Sequence, residues 1–138
     1  MLVPLVTAVV LGGLIGLERE IHRKPAGLRT NIMICLAAAV FTLIGRELSS
    51  SSNAEMTRLL AGVITGVGFI GGGALIQDRK GVHGLTTAAT IWLVAAIGVL
   101  CGLQLYSLAV GVTVIALLVL WGFSILDMLI HKSDPPNK

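Results

Sequence analysis

Long apolar runs separated by short polar turns dominate this chain of 138 residues. Five such runs cover residues 2–17, 30–45, 59–76, 85–102 and 103–130. Only 12% of the residues are charged, about half the share of a soluble domain. The runs predict an all-α integral membrane protein with about five transmembrane helices. Because the first two runs fall short of the ~20 residues that a span usually needs, we expect a locally thinned bilayer or mutual burial around them.

The basic residues predict the orientation of the spans. With the N-terminus outside, eight lysines and arginines face the cytoplasm and two, Arg46 and Arg58, face out. Such a bias is typical of cytoplasmic loops, so we predict an N-out/C-in arrangement. We assign residues 1–132 to one transmembrane domain and residues 133–138 to a short cytoplasmic tail. The first run has no preceding basic segment and ends in Glu18-Arg19-Glu20, so we expect a retained span and no cleaved signal peptide.

A weak internal repeat links the two halves of the sequence. Residues 27–45 align without gaps to residues 84–102, with nine of nineteen positions identical. A Gly-Gly pair and an acid-Arg pair precede each copy in the same order, the latter being Glu18-Arg19 and Asp78-Arg79. This order predicts two hairpins of the same topology, related as a parallel repeat about an axis along the membrane normal. The fifth helix has no counterpart.

Glycines at helical spacing are the most frequent candidate feature. They form small-xxx-small pairs on the first, third and fourth runs: Gly12 and Gly16, Gly62 and Gly66, Gly68 and Gly72, and Gly98 and Gly102. Small residues let transmembrane helices approach closely, so tight packing is the main interpretation. The alternative is that Gly71-Gly72-Gly73 lets backbone line a permeation route, since irregular backbone at membrane depth is tolerated only around cavities.

Two carboxylates are candidate cation ligands. Glu18 and Asp78 occupy equivalent positions in the repeat, at the predicted cytoplasmic ends of their spans. Hard cations such as Mg²⁺ take oxygen ligands, commonly one or two carboxylates with retained waters. The simpler interpretation is that these acids neutralise neighbouring arginines and lysines. Mg²⁺ is therefore the metal ion that the sequence suggests, a proton-coupled carboxylate is the other alternative, and no cofactor is certain.

Threonines open the second and fourth runs, at Thr30, Thr86 and Thr87. A threonine at such a position can accept a hydrogen bond from a free first-turn amide, so we expect helix caps. Alternatively, the two helix N-termini, together with Arg29, bind an anionic group on the cytoplasmic side. An anionic lipid headgroup would suit Arg29 equally well.

Several classes of function find no support in the sequence. No nucleophile–base constellation, phosphate loop or redox pair is present, so we expect no enzyme. Aromatic residues make up only 4% of the chain and no basic patch is interleaved with them, so we expect no nucleic-acid partner. Counting residues from the predicted span ends places Cys35 and Cys101 ~15 Å apart in depth, which would exclude a disulfide between them.

The motifs together resemble the membrane domain of the MgtC/SapB family. They are Leu-Glu-Arg-Glu at residues 17–20, Ala-Gly-Leu-Arg-Thr at 26–30, Gly-Val-Gly-Phe-Ile-Gly-Gly-Gly at 66–73 and Gly-Leu-Thr-Thr-Ala-Ala-Thr-Ile-Trp at 84–92. The resemblance covers about residues 11–106. It implies a multi-pass protein of the bacterial inner membrane, linked to growth in low magnesium and, in pathogens, to survival in macrophages. Longer members carry a soluble C-terminal domain, whose function we do not transfer to this short form.

The resemblance implies two alternative functions. One is Mg²⁺ transport or magnesium and ion homeostasis, with Glu18 and Asp78 as cation ligands. The other is a regulator that transports nothing and binds another membrane complex, such as the ATP synthase. Apart from the lipid bilayer, we expect a second copy of the chain as a partner, because five thin spans make a poor solitary pore.

Overall fold

A computed structural model of the chain describes residues 2–48, 53–78 and 81–131, except for the side chains of residues 53, 76–78 and 123–131. Its elements in chain order are α1 (Leu2–Ile21), α2 (Leu28–Leu48), α3 (Asn53–Gly73), β1 (Ile76–Asp78), β2 (Gly81–His83), α4 (Leu85–Gly102) and α5 (Tyr106–His131). Helices α1 to α4 are long and apolar enough to cross a membrane. The described side chains of α5 end at Gly122. A fifth crossing, the orientation and the boundary of the tail stay predictions.

The first two helices are longer than expected. Helix α1 has 20 residues and α2 has 21, so the expectation of short spans is wrong. Helix α1 continues through Glu18, Arg19 and Glu20, which are good helix formers. Glu18 and Arg19 are moreover buried against neighbouring helices, so their charges do not end the span at the lipid boundary.

The fold is not purely helical, since a short β-hairpin joins α3 to α4. Strands β1 and β2 pair antiparallel, with Gln77 opposite Val82. The chain then enters α4 through Gly84, whose φ of 90° favours glycine. A Cβ at this position would also collide with the backbone carbonyl of Ala74. Glycine is therefore required where the hairpin meets α4.

Helices α1, α2 and α4 form the centre of the bundle. The side chains of Ile15, Cys35, Val94 and Ile97 are fully buried there. Helix α5 adds its small residues, among them Ala109, to the same core. Helix α3 lies at the side against α4 and α2, and only 11% of its span is buried, compared with 39–50% for the other three. The chain thus has a packed centre and one weakly attached helix.

The aligned segments begin their helices at the same place. Helices α2 and α4 start at Leu28 and Leu85, the second residue of each copy. In both helices, the carbonyl of the glycine before the first residue accepts a hydrogen bond from the amide four residues later. The Asn31 amide donates to Gly27 at 3.2 Å, and the Ala88 amide donates to Gly84 at 2.9 Å. This equivalence is local. The parallel-repeat arrangement of the whole hairpins stays a prediction.

The predicted separation in depth between Cys35 and Cys101 is wrong. Gly98 packs directly against the backbone carbonyl of Cys35, and Cys101 lies three residues further along α4, a rise of about 4.5 Å. The estimate assumed that α2 and α4 start at the same depth, whereas they are staggered along each other. Both cysteines are buried and free.

Candidate functional site

Polar side chains from three helices are buried together at one end of the bundle. Glu18 and Arg19, in the last turns of α1, are each 4% exposed, while Asn31 on α2 and Thr87 on α4 are 0% and 3% exposed. His22, just past the end of α1 and with 34% of its side chain exposed, completes the group. We call these five residues the polar junction. Buried polar groups normally have hydrogen-bond partners.

Glu18 is held by His22, four residues further along the chain and just past the end of α1. Its Oε1 lies 3.0 Å from His22 Nδ1, and the same ring nitrogen is 2.9 Å from the Glu18 backbone carbonyl. The other carboxylate oxygen, Oε2, is buried without a hydrogen-bond partner. One oxygen of this carboxylate is therefore available to a further ligand.

Arg19 connects α1 to the first turn of α4. Its Nη2 donates a hydrogen bond to Thr87 Oγ1 at 3.1 Å, and its Nε is buried without a partner. No described carboxylate oxygen lies within 4.0 Å of its guanidinium. A buried arginine usually has a charged partner, and here the adjacent Glu18 supplies an opposing charge without a direct ion pair.

Asn31 stabilises the turn between α1 and α2. Its Nδ2 donates to the backbone carbonyls of Ala26 and of Gly27, the latter at 2.9 Å, while its Oδ1 is buried without a partner. Glu20 supports the same turn, because its Oε2 accepts the first amide of α2, that of Leu28, at 3.0 Å. The junction is thus anchored to a rigid turn.

The threonines do not cap their helices as expected. The N-cap of α4 is Gly84, with no side-chain cap hydrogen bond, so Thr86 and Thr87 lie inside the first turn. Helix α2 likewise begins at Leu28, ahead of Thr30. The sequence predicted threonine hydroxyls at the N-caps. Instead, the glycine before each leucine, Gly27 or Gly84, occupies the N-cap position. Arg29, Thr30 and Thr86 are exposed, whereas Thr87 is bonded to Arg19.

The predicted cation ligands lie in different surroundings. Glu18 belongs to the polar junction. Asp78 ends strand β1, and its side chain is outside the described part. Among the described residues no group of three or more histidines, cysteines, aspartates or glutamates could hold a metal ion. The Mg²⁺ site therefore stays a prediction.

From the sequence alone, Arg19 belongs to the repeated acid-Arg pair and to the basic residues that orient the spans, and His22 has no assigned role. Two signals could have pointed to the junction. Glu18 and His22 are four residues apart, which places them on the same face of a helix. Asn31 is a polar residue inside an apolar run, and such residues in membrane spans usually have a buried partner.

The glycine pairs divide into two groups. A Cβ on Gly12 would lie 2.7 Å from the Cβ of Cys35, and one on Gly16 would lie 2.8 Å from the Cα of Leu28. Gly98 and Gly102 likewise leave no room against α2. The α3 glycines differ: a Cβ would meet nothing within 4 Å at any of Gly62, Gly66, Gly68 and Gly72. We call this α3 set the open glycines.

A groove of about 670 Å³ runs between α3 and α4. Gly68, Gly71 and Gly72 line one side, and Ala88 and Trp92 line the other. Trp92 is half exposed. The lining is apolar and made mostly of small residues. An apolar helix with small side chains could lie along it closely.

These features define a multi-pass α-helical membrane protein with one buried polar junction among its described residues. The sequence profile of the MgtC family matches residues 5–129, and the chain belongs to that family. It is 45% identical over 107 residues to Protein MgtC of Brucella abortus (strain 2308), which covers 78% of this chain and 44% of that protein.

A second relative agrees with the first. Protein MgtC of Salmonella typhimurium (strain LT2) is 43% identical over 113 residues, covering 82% of this chain and 48% of that protein. The chain thus spans just under half the length of these relatives. No solved structure matches the chain.

Proposed function

We propose that this chain serves magnesium and ion homeostasis in the bacterial inner membrane by binding a transmembrane helix of another membrane protein along α3. The observation that carries this proposal is the contrast among the glycines. Those of α1 and α4 are filled by the chain itself, whereas the open glycines of α3 meet nothing within 4 Å. The resemblance to MgtC proteins, some of which are thought to bind the ATP synthase, supports the same mode of action.

The chemistry of the groove indicates what kind of segment would bind there. In lipid, helices associate by close van der Waals packing and not by a hydrophobic drive. Open glycines give a second helix access to the α3 backbone, and the apolar lining offers no partner to a charged side chain. The expected partner segment is an apolar helix with small residues at its interface.

The test uses residues whose replacement leaves the monomer intact. Gly68→Leu and Gly72→Leu should fold normally, because an added Cβ there meets nothing within 4 Å and the rest of the side chain can extend into the groove. We expect both variants to lose the membrane complex that the wild type retains in mild detergent, as measured by co-purification and native mass spectrometry. Gly111→Leu on α5, which is equally unobstructed, is the matched control and should retain it.

Three results would contradict the proposal. The wild type could be monomeric in native nanodiscs, or the two α3 variants could retain the complex. A complex that contains only copies of this chain would show that α3 binds a second copy of the chain and not another protein. The measured mass separates this last case from the others.

Mg²⁺ transport is the second candidate, and one observation favours it. Glu18 carries a buried carboxylate oxygen without a partner, the type of ligand that Mg²⁺ prefers. Saturable Mg²⁺ flux into proteoliposomes, lost in Glu18→Gln and Asp78→Asn, would establish transport. Absence of flux with correctly folded wild type would remove this candidate and leave the binding function.

A further inference from the structure

The two arginines that bond to α4 lie at opposite ends of that helix. Arg46 Nη1 donates to the carbonyl of Gly102, the last residue of α4, at 3.1 Å. Arg19 Nη2 donates to Thr87 in the first turn. A helix carries partial negative charge at its C-terminus and partial positive charge at its N-terminus. Arg46 therefore complements the helix dipole, whereas Arg19 opposes it.

The surroundings of Arg19 increase this imbalance. The residue is 4% exposed and its Nε has no partner. Glu18, its neighbour in sequence, has its Oε1 against His22 instead. The first amides of α4 have no acceptor within the helix, and Gly84 supplies none from a side chain. The free amides of the α4 first turn thus lie beside a buried positive charge that has no described carboxylate oxygen within 4.0 Å.

We propose that this end of the polar junction binds a phosphate group between the Arg19 guanidinium and the first-turn amides of α4. Guanidinium and helix N-terminal amides are the two groups that proteins most often use for phosphate. Thr87 accepts the Arg19 bond, which leaves its own hydroxyl proton to donate to the ligand. The shared chemistry fits both the phosphate of an anionic lipid headgroup and free phosphate.

Access to this site is from the end of α4. Leu85 and Thr86 are exposed, so the first turn is open although Arg19 behind it is buried. Arg23, Lys24 and Arg29 are also exposed at this end of the bundle and would attract anions toward it. The Glu18 carboxylate is the opposing charge within the junction, so an anion binds in competition with it.

The experiment titrates the full chain in detergent with two probes. One is inorganic phosphate, and the other is phosphatidylglycerol, with phosphatidylcholine as the uncharged comparison. Native mass spectrometry counts bound lipid, and thermal unfolding measures stabilisation by either probe. We expect Arg19→Gln to weaken binding by ~10-fold or more, the usual effect of losing a hydrogen bond to a charged group. Arg46→Gln is the matched control and should bind as the wild type does.

Further variants keep the test decisive if Arg19→Gln does not fold. Arg19→Lys retains the charge but not the planar fork, and should bind more weakly than the wild type. Glu18→Gln removes the opposing charge and should bind more tightly. Binding of both probes indicates a site open to water, and binding of phosphatidylglycerol alone indicates a lipid site.

Specific results would overturn the proposal. They are a wild type that binds neither probe, and an Arg19→Gln variant that is folded and binds as the wild type does. Binding that appears only in Glu18→Gln or Asp78→Asn would identify that acid as the natural counter-ion of Arg19. These results are independent of docking along α3, because neither Arg19 nor Glu18 lines the groove between α3 and α4.

Discussion

The two helical hairpins of this protein carry similar sequence signals but differ in how they are held. Hairpin α1–α2 is closed by glycines in direct contact with the facing backbone and by Asn31 at its turn. Hairpin α3–α4 has a small β-hairpin as its turn, and a Cβ on any of the open glycines of α3 would meet nothing within 4 Å. The same small-xxx-small spacing thus serves internal packing on α1 and α4 and leaves a surface on α3. Spacing alone does not determine which role a glycine has.

The largest expected effect is at Gly98. A leucine there would collide with the backbone of Cys35 in α2, and backbone cannot move aside as a side chain can. We expect Gly98→Leu to destabilise the fold by about 3 kcal/mol or more, measured by thermal unfolding in detergent. Gly66→Leu, the same change at an open glycine, should unfold at the wild-type temperature. Equal destabilisation of both variants would contradict the division into two groups.

The next effect separates the equivalent glycines that precede α2 and α4. Gly84 has a φ of 90° and its Cβ position meets the Ala74 carbonyl, so we expect Gly84→Ala to cost ~1–3 kcal/mol. Gly27 has no positive φ, and an added Cβ would meet no backbone but would displace the Glu20 carboxylate from the Leu28 amide. Gly27→Ala should therefore cost less. The reverse order in chemical or thermal unfolding would show that the two turns are held alike.

A smaller effect is expected at Asn31. Replacing it with alanine removes the hydrogen bonds to the carbonyls of Ala26 and Gly27. The Ala26 carbonyl loses this partner, whereas the Gly27 carbonyl keeps the backbone amide of residue 31, so we expect a cost of ~1–2 kcal/mol. Hydrogen exchange of the α1–α2 turn should quicken, while the β-hairpin is unaffected. Quickened exchange in both turns would mean that Asn31 supports the whole bundle and not one hairpin.

The smallest effect is expected for Gly66→Ala. The added methyl group meets nothing within 4 Å, and alanine favours a helix over glycine by up to about 1 kcal/mol in water. We expect thermal stability to be unchanged or slightly raised. A marked loss of stability in the isolated monomer would mean that α3 packs more closely than the structure shows.

The overall class of fold could be predicted from the sequence because apolar runs of this length have few alternatives. The helix ends could not be predicted as well. Hydropathy suggested that α1 ends before Glu18, but burial of Glu18 and Arg19 by other helices lets it continue. Hydropathy considers each segment alone, whereas the limits of a buried helix depend on its neighbours.

The polar junction also depends on contacts between helices that local sequence patterns do not reveal. The bond between Arg19 and Thr87 joins residues 68 positions apart, and no local pattern indicates it. The stagger of α4 along α2 likewise arises from packing at Gly98 and was missed by counting residues from the helix ends. Glu18 and His22 are a local pair and were within reach of the sequence.

The position of α3 also bears on the order in which the chain enters the membrane. Helix α4 packs against α1 and α2, so the centre of the bundle is incomplete until residue 102 has been synthesised. Helix α3 must insert before α4, its principal neighbour, and it has the lowest mean hydropathy of the four spans. Its insertion therefore depends on α4 following closely, and the short β-hairpin between them keeps that interval to eleven residues, 74–84. A connection this short makes α3 and α4 a single unit of membrane insertion.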